Sequence, residues 1–202
     1  MTGIVLAGGE NRRMGADKAF LKIAGLPLIE HVIRTIRSAV SHIIVVTNKP
    51  EAFVSYDVEV TRDIYNMRGS LIGLHSGLLR SRDEYNFVVA CDMPFLNRDL
   101  LSFMAGLAGS ADVILPKVGG FVEPLHAVYR RSLLPVIEEH IESEQRQIKG
   151  IFEGLCVRYV AEEEVDRFDP GRRSFINLNR PDEYEKAACS NLMIIAEGFQ
   201  NP

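Results

Sequence analysis

The chain has 202 residues, 47% of them hydrophobic, and its 27 acidic and 23 basic side chains give a formal net charge of −4. This balance argues against a broad electrostatic footprint for DNA or RNA, so we expect phosphate recognition to be local and no nucleic acid as a partner. The first apolar run covers only about a third of the ~20 residues that a membrane helix needs, and no signal peptide is recognisable, so no membrane partner is expected.

The three cysteines favour a reducing compartment over a disulfide framework. They are odd in number, widely separated and without metal-ligand spacing, at Cys91, Cys156 and Cys189. A disulfide-stapled secreted domain would carry an even number. We therefore expect a cytoplasmic protein. Because no glycine, proline or serine tract is long enough to be a linker, one domain is predicted over residues 1–190, followed by a tail over 191–202 without a motif.

The chain opens on a short apolar stretch, Gly3 to Ala7, which predicts a central strand of a parallel sheet. This stretch leads into Gly8 and Gly9, where the missing Cβ atoms let the backbone turn sharply and come close to a ligand. Successive amides in such a loop can bind an anion. Three cations follow: Arg12, Arg13 and Lys18. The segment has the spacing of neither the P-loop nor the dinucleotide-binding motif, yet it predicts a cradle for a polyphosphate such as a triphosphate.

Helical and strand-like patterns alternate through the next part of the chain. The apolar positions predict a helix from Leu28 to about Val40, strands over His42 to Thr47 and Val58 to Thr61, a helix over Leu71 to Leu79, a strand over Asn86 to Cys91, and a helix capped by Asn97. Such alternation is typical of an α/β protein with a single doubly wound, mostly parallel, Rossmann-like sheet.

From Asp112 the pattern changes and predicts a small antiparallel element. The predicted elements are a strand over Val113 to Leu115, a turn at Gly119-Gly120, a strand over Glu123 to Tyr129 that runs directly into a long helix from Ser132, a late strand over Leu155 to Val160, and a last helix from Pro181. On the strand after the turn, His126 lies among apolar residues and is interpreted as a hydrogen-bonded structural histidine rather than a ligand.

Polar side chains follow three of the predicted strands: Asn48, Asp63 and Asp92. Open parallel sheets bind ligands outside the carboxyl ends of their strands, so we expect these residues to converge with the glycine loop around one crevice. Mg²⁺ prefers oxygen ligands and typically takes one or two carboxylates together with phosphate oxygens. Asp92 is therefore the candidate magnesium ligand.

The amino-terminal loop resembles the signature of nucleotidyltransferases that move an NMP group onto a phosphate, in three motifs: Leu6-Ala-Gly-Gly9, Arg13-Met-Gly15 and Asp17-Lys18. Two further motifs make the chain look most like the molybdenum cofactor guanylyltransferases: Ala19-Phe20-Leu21 and Gly25-Leu-Pro-Leu28. The resemblance extends, with gaps, from Gly3 to about Tyr184. The chain departs from the family at Glu10, where a small residue is common, and at Ser70, where proline is common.

The resemblance implies transfer of GMP from GTP to molybdopterin, with release of pyrophosphate and Mg²⁺ as cofactor, in a Rossmann-like nucleotidyltransferase fold. It implies nucleotide-binding roles for Leu6, Ala7, Gly8, Gly9, Lys18, Asn48, Asp63 and Asp92. The catalytic residues that it implies are Arg13, Lys18 and the metal ligand Asp92. The acceptor-binding residues that it implies are Glu123, Asn177 and Asn179. Proteins that deliver molybdopterin or mature molybdoenzymes are further candidate partners.

Within this resemblance, Asp63 stands where related enzymes recognise guanine, whose N1–H and exocyclic N2 amine one carboxylate can accept together. Two alternatives stay open. In the first, the chain is a related nucleotidyltransferase that uses CTP or another phosphorylated acceptor. In the second, it is a GTP-binding module that no longer catalyses transfer. Glu10 and Ser70 leave the second alternative open, whereas Lys18 and Asp92 argue against it.

Overall fold

A computed structural model describes residues 1–8 and 18–178 of the chain. The strands in these ranges are β1 (Thr2–Leu6), β2 (Lys22–Ile23), β3 (Leu26–Pro27), β4 (His42–Val46), β5 (Glu59–Thr61), β6 (Tyr85–Ala90), β7 (Val113–Val118), β8 (Phe121–Val122), β9 (His126–Arg130) and β10 (Val157–Val160). The α-helices are α1 (Leu28–Ile36), α2 (Ser70–Arg80), α3 (Arg98–Gly106), α4 (Leu134–Glu142) and α5 (Glu162–Asp166). None of these helices has the length and apolarity to cross a membrane.

The main sheet has the strand order β10-β7-β9-β6-β1-β4-β5, and β8 pairs with the far end of β7. β1 lies between β4 and β6 and runs parallel to both, with Leu6 opposite Val46 and Ala90. β9 runs antiparallel to its neighbours β6 and β7, and β8 is antiparallel to β7. A separate two-stranded hairpin joins β2 and β3. The predicted doubly wound, mostly parallel sheet with an antiparallel element in the second half is therefore confirmed.

Helices cover both faces of the sheet, which explains why its strands read as continuous apolar runs. On one face α1, α3 and α5 pack over residues such as Val5 and Val89. On the other face α2 and α4 pack over residues such as Ile4 and Val88. Adjacent residues of one strand thus enter opposite cores, as the alternation of side chains along a strand requires.

The approach of α2 to β1 is unusually close and depends on two glycines. A Cβ atom added to Gly77 would overlap the side chain of Ile4, and one added to Gly73 would lie 3.3 Å from Leu6 Cδ2. The glycines are one helical turn apart, so they form a continuous contact stripe along β1. α2 is consequently held at a fixed distance from β1, the strand that leads to Gly8.

Two predicted elements differ from the structure because of local backbone chemistry. The strand predicted from Glu123 begins only at His126, since Pro124 has no N–H for a ladder and His126 N–H donates to the Glu123 carbonyl oxygen at 3.1 Å instead. The long helix predicted from Ser132 starts as a 3₁₀ turn over Arg131–Leu133 and becomes α-helical at Leu134.

Other predicted boundaries are variously shifted, confirmed or untested. The first helix ends at Ile36 rather than near Val40, because the chain turns at residues 37–39, yet Val40 still packs against the core. The late strand begins at Val157 rather than Leu155. Asn97 caps α3 as predicted, with its side chain accepting from the backbone N–H groups of Asp99 and Leu100. The predicted last helix from Pro181 and the predicted tail over 191–202 lie outside the described residues.

Candidate active site

The ends of β1, β4 and β5 bring three predicted site residues together. Asn48 Nδ2 donates to Asp63 Oδ2 at 2.9 Å, and we call these two residues the amide–carboxylate pair. A Cβ atom on Gly8 would lie 4.0 Å from the same Asp63 oxygen, so the carboxylate is beside the start of the glycine loop. Ala7 N–H donates to the Val46 carbonyl oxygen at 2.9 Å, which fixes the exit of β1 against β4.

Asp63 is a carboxylate whose hydrogen-bond partner, Asn48, carries no charge. Burial raises the pKa of this carboxyl above its ordinary value, because a half-buried ion loses hydration, and the Asn48 hydrogen bond offsets only part of this effect. The amide donates a hydrogen bond without bringing a positive charge. Asp63 therefore keeps acceptor capacity for other N–H donors.

The loop after Asp63 is attached to α2. Ile64 N–H donates to Ser76 Oγ at 3.2 Å, and the ring of Tyr65 meets the ring of His75 edge-on with centroids 5.1 Å apart. Ser76 is not among the residues predicted from the sequence. The available signal was a serine within an apolar helical stretch, directly before Gly77, which packs on Ile4 of β1.

The end of β6 carries the second pair. Lys18 Nζ and Asp92 Oδ2 form an ion pair whose side chains are 16% and 18% exposed, and we call it the lysine–carboxylate pair. Lys18 begins a 3₁₀ turn over Lys18–Phe20, and Asp92 follows β6. Cys91 N–H donates to the Leu6 carbonyl oxygen at 3.1 Å, so the loop with Asp92 is tied to the end of β1.

The segment over residues 169–178 reaches the same place from the far end of the chain. Asp169 anchors it by accepting from Arg173 N–H at 3.1 Å and Ser174 N–H at 2.8 Å. The segment ends where Leu178 N–H donates to the Asp92 carbonyl oxygen at 3.1 Å. Asn177, a predicted acceptor-binding residue, is therefore placed next to the residue that contacts Asp92.

Glu123 lies in the turn before β9. Since β9 is antiparallel to β6, with His126 opposite Val89, this turn emerges at the same sheet edge as Asp92. Burial raises the pKa of the Glu123 carboxyl, and the positive charge of Lys149 opposes that rise. Three further predicted site residues, Gly9, Arg13 and Asn179, lie outside the described residues.

The donor set for a divalent cation is small. Within residues 1–8 and 18–178, the structure contains no group of three or more His, Cys, Asp or Glu side chains that could hold a metal ion. Asp92 offers hard carboxylate oxygens, which suit Mg²⁺ when phosphate oxygens and water supply the remaining ligands. The residues present thus fit a cation that arrives with a polyphosphate.

His126 is buried in the core as predicted, but its ring makes none of the expected hydrogen bonds within the part of the chain that the structure describes. It is fully buried between Phe87 and Phe175, which meet its ring edge-on at centroid distances of 5.5 and 5.1 Å. Neither ring nitrogen has a hydrogen-bond partner among the residues that the structure describes. Burial lowers the pKa of His126 to about 4, although the negative charge of Asp169 acts in the opposite direction.

The chain is similar to known proteins over nearly its whole length. A molybdenum cofactor guanylyltransferase from Desulfosudis oleivorans is 38% identical over 192 residues, which cover 94% of this chain and 95% of that protein. A second molybdenum cofactor guanylyltransferase, from Syntrophotalea carbinolica, is 33% identical over 187 residues, covering 92% and 89% of the two chains. The crystal structure of molybdopterin-guanine dinucleotide biosynthesis protein A from Archaeoglobus fulgidus superposes with a TM-score of 0.82 at 31% identity, over 95% of this chain and 100% of that chain.

The family model described as the MobA-like NTP transferase domain matches residues 3–162. That range includes Gly8, the amide–carboxylate pair and the lysine–carboxylate pair. The resemblance stated from the sequence motifs is thereby confirmed. The chain belongs to the MobA-like NTP transferase family.

Proposed function

We propose that this chain transfers GMP from GTP to the terminal phosphate of molybdopterin and releases pyrophosphate. One observation carries the proposal: two carboxylates stand at one sheet edge with different partners, Asp63 with a neutral amide and Asp92 with a lysine. The first arrangement suits recognition of a base, and the second suits handling of phosphates. The names of the relatives supply the acceptor, molybdopterin.

Base recognition is assigned to the amide–carboxylate pair. Guanine presents N1–H and the N2 amine side by side, and one ionised carboxylate accepts from both. Adenine and cytosine do not present this pair of donors, so their nucleotides would leave Asp63 without its partners. Asn48 orients the carboxylate through Oδ2. The carboxyl end of β1, at Leu6 and Ala7, lines the approach to this pair.

Phosphate binding is assigned to the backbone after β1 and to Lys18. Gly8 and Gly9 would offer amides to the triphosphate, and Lys18 and Arg13 would supply positive charge. Asp92 would hold Mg²⁺, which when bound polarises the α-phosphate and offsets negative charge on the leaving pyrophosphate. Lys18 would exchange its contact with Asp92 for one with the nucleotide.

The transfer itself needs little covalent help from the protein. The terminal phosphate of molybdopterin is mostly deprotonated at neutral pH, so it attacks without a general base, in line with the departing pyrophosphate. The task of the side chains is to align the two substrates and to balance charge. Glu123, Asn177 and Asn179 are the proposed acceptor side, which fits the location of Glu123 and Asn177 at the sheet edge that carries Asp92. We also propose a cytoplasmic protein made of one domain over residues 1–190.

Calorimetric titration of GTP, CTP and ATP into the purified protein with Mg²⁺ tests this proposal. Selective binding of GTP that weakens when Mg²⁺ is chelated is the expected result. Preference for CTP would move the chain to cytidylyl transfer. Tight GTP binding without pyrophosphate release in the presence of molybdopterin would instead identify a non-catalytic GTP-binding module.

A further inference from the structure

Ser76 holds the loop that carries Asp63. It is 1% exposed and directly precedes Gly77, which packs on Ile4 of β1. Its Oγ donates to the Ile72 carbonyl oxygen at 3.0 Å and accepts from Ile64 N–H at 3.2 Å. A hydroxyl has a single proton, so once that proton is given to Ile72 the remaining lone pairs are directed at Ile64.

The bond to Ser76 is an anchor that the Ile64 side chain does not provide. The Ile64 side chain is 58% exposed, so its burial contributes little to holding this part of the loop. One residue further along, Tyr65 packs on His75, whose Nε2 lies 3.0 Å from Glu138 Oε1 on α4. The Ser76 contact is closer along the chain to Asp63 than this ring contact is. It therefore has the more direct effect on the carboxylate.

α2 fixes the position of this anchor relative to β1, the strand that leads to Gly8. Gly73 and Gly77 seat the helix directly on Leu6 and Ile4 of β1, with no space for a Cβ atom at Gly77. The same strand leads to Gly8, beside which the Asp63 carboxylate lies. Ser76 thus connects the Asp63 loop to β1 through the packed helix rather than through the loop alone.

We propose that Ser76 is a positioning residue for base selection: by holding Ile64 N–H it keeps the Asp63 carboxylate beside Gly8, where it accepts from both N–H groups of guanine. This inference rests on the proposed role of Asp63. Ser76 itself touches no nucleotide. Its loss should therefore change which base is preferred while leaving phosphate binding intact.

The affinity ratio of GTP to ITP measures this effect, because hypoxanthine lacks only the exocyclic amine at C2 of guanine. In calorimetric titrations with Mg²⁺, Ser76→Ala should lower the preference for GTP over ITP by about 3- to 10-fold, since one backbone hydrogen bond to the loop is lost. Ser76→Cys fills the site with a somewhat larger side chain that is only a weak hydrogen-bond acceptor, so it should act in the same direction even if the alanine variant folds poorly. Affinity for ITP, which keeps N1–H and so loses one contact to Asp63 rather than two, should fall less than affinity for GTP in both variants.

Ser81→Ala is the matched control. Ser81, the residue directly after α2, is also buried and also accepts a backbone amide, from Asp83 at 3.1 Å, but Asp83 contacts Thr2 at the start of β1, the opposite end of that strand from Gly8. This variant should lose a comparable hydrogen bond and keep the wild-type GTP:ITP ratio. An equal fall in the ratio for Ser81→Ala would show that any weakening of α2 suffices, and would overturn the role of Ser76.

Asp63→Asn distinguishes failure of the Ser76 role from failure of the proposed base site at Asp63. If Asp63→Asn abolishes the preference for GTP over ITP while Ser76→Ala retains it, the inference about Ser76 is wrong and the proposed base site stands. If Asp63→Asn retains the preference, the proposed role of Asp63 fails, and the role of Ser76 fails with it.

Discussion

The amide–carboxylate pair and the lysine–carboxylate pair lie at the same sheet edge but differ in charge. Asp63 faces the neutral Asn48, and burial raises the pKa of its carboxyl. Asp92 faces the ammonium group of Lys18, so that pair is close to neutral as a unit. A carboxylate with a neutral partner keeps its charge for N–H donors of a base. The charge of a carboxylate with a cationic partner is neutralised by that partner, until in the proposed reaction a polyphosphate and a divalent cation replace it.

The two pairs are also built on different strands. Asn48 and Asp63 follow β4 and β5, whereas Asp92 follows β6, and β1 separates the two groups within the sheet. Substitutions at the amide–carboxylate pair should consequently change base choice, whereas substitutions at the lysine–carboxylate pair should change phosphate binding and turnover.

The largest effect is expected at Asp92. Asp92→Asn should lower turnover by about 10³-fold, because the charge that would hold Mg²⁺ at the reacting phosphate is lost. The preference for GTP over ITP in binding should stay as in the wild type. Steady-state pyrophosphate release and calorimetry measure these two properties, and near-normal turnover would remove Asp92 from the metal role.

Acid should destabilise the fold through His126, which packs against the 169–178 segment next to Asp92. Its folded-state pKa is lowered from 6.5 to about 4, so the unfolded chain takes up a proton at a higher pH than the folded chain does. Stability that is complete above pH 6.5 should therefore fall as the pH drops toward 4, by about 3 kcal/mol. His126→Leu should remove most of this loss in urea unfolding at pH 7 and pH 4.5. An unchanged pH dependence would show that another group is responsible.

A smaller effect is expected at Lys18. Lys18→Met should weaken GTP binding about 30-fold through loss of a charge-assisted contact to phosphate. The weakening should be equal for GTP and ITP, since the amide–carboxylate pair, the proposed base site, is untouched. Unequal weakening of the two nucleotides would contradict the separation of the two pairs.

The smallest effect is on the free energy of unfolding and comes from Asp63 of the amide–carboxylate pair. Because the folded-state pKa of Asp63 is raised, the ionised form opposes folding at neutral pH, and this cost disappears once the pH falls below the unfolded value of 3.8. Asp63→Asn keeps an oxygen for the Asn48 donor and should raise stability at pH 7 by under about 1 kcal/mol, with partial exposure limiting the gain. The difference should vanish near pH 3. Lower stability of the variant at pH 7 would contradict the assigned pKa direction.

The sequence could predict the parallel sheet and its strand-end residues because these depend on local patterns. Buried strands such as β1 and β6 read as apolar runs, and polar residues directly after them fall at the ligand-binding edge. The turn before His126 was missed because the missing N–H of Pro124 outweighed the apolar pattern. Ser76 was missed because its role depends on a contact with Ile64, twelve residues earlier in the chain. The lack of hydrogen-bond partners for the His126 ring within the described residues likewise goes with its packing against Phe175, which no local pattern shows.

Competition between GTP and CTP for transfer to molybdopterin is the most direct test of the central claim. Both nucleotides would be supplied at equal concentration with Mg²⁺, and the dinucleotide products separated and quantified. We predict the guanine dinucleotide as the main product, with an equal amount of pyrophosphate released. Mainly cytosine dinucleotide, or no dinucleotide from a protein that binds GTP, would contradict guanylyl transfer by this chain.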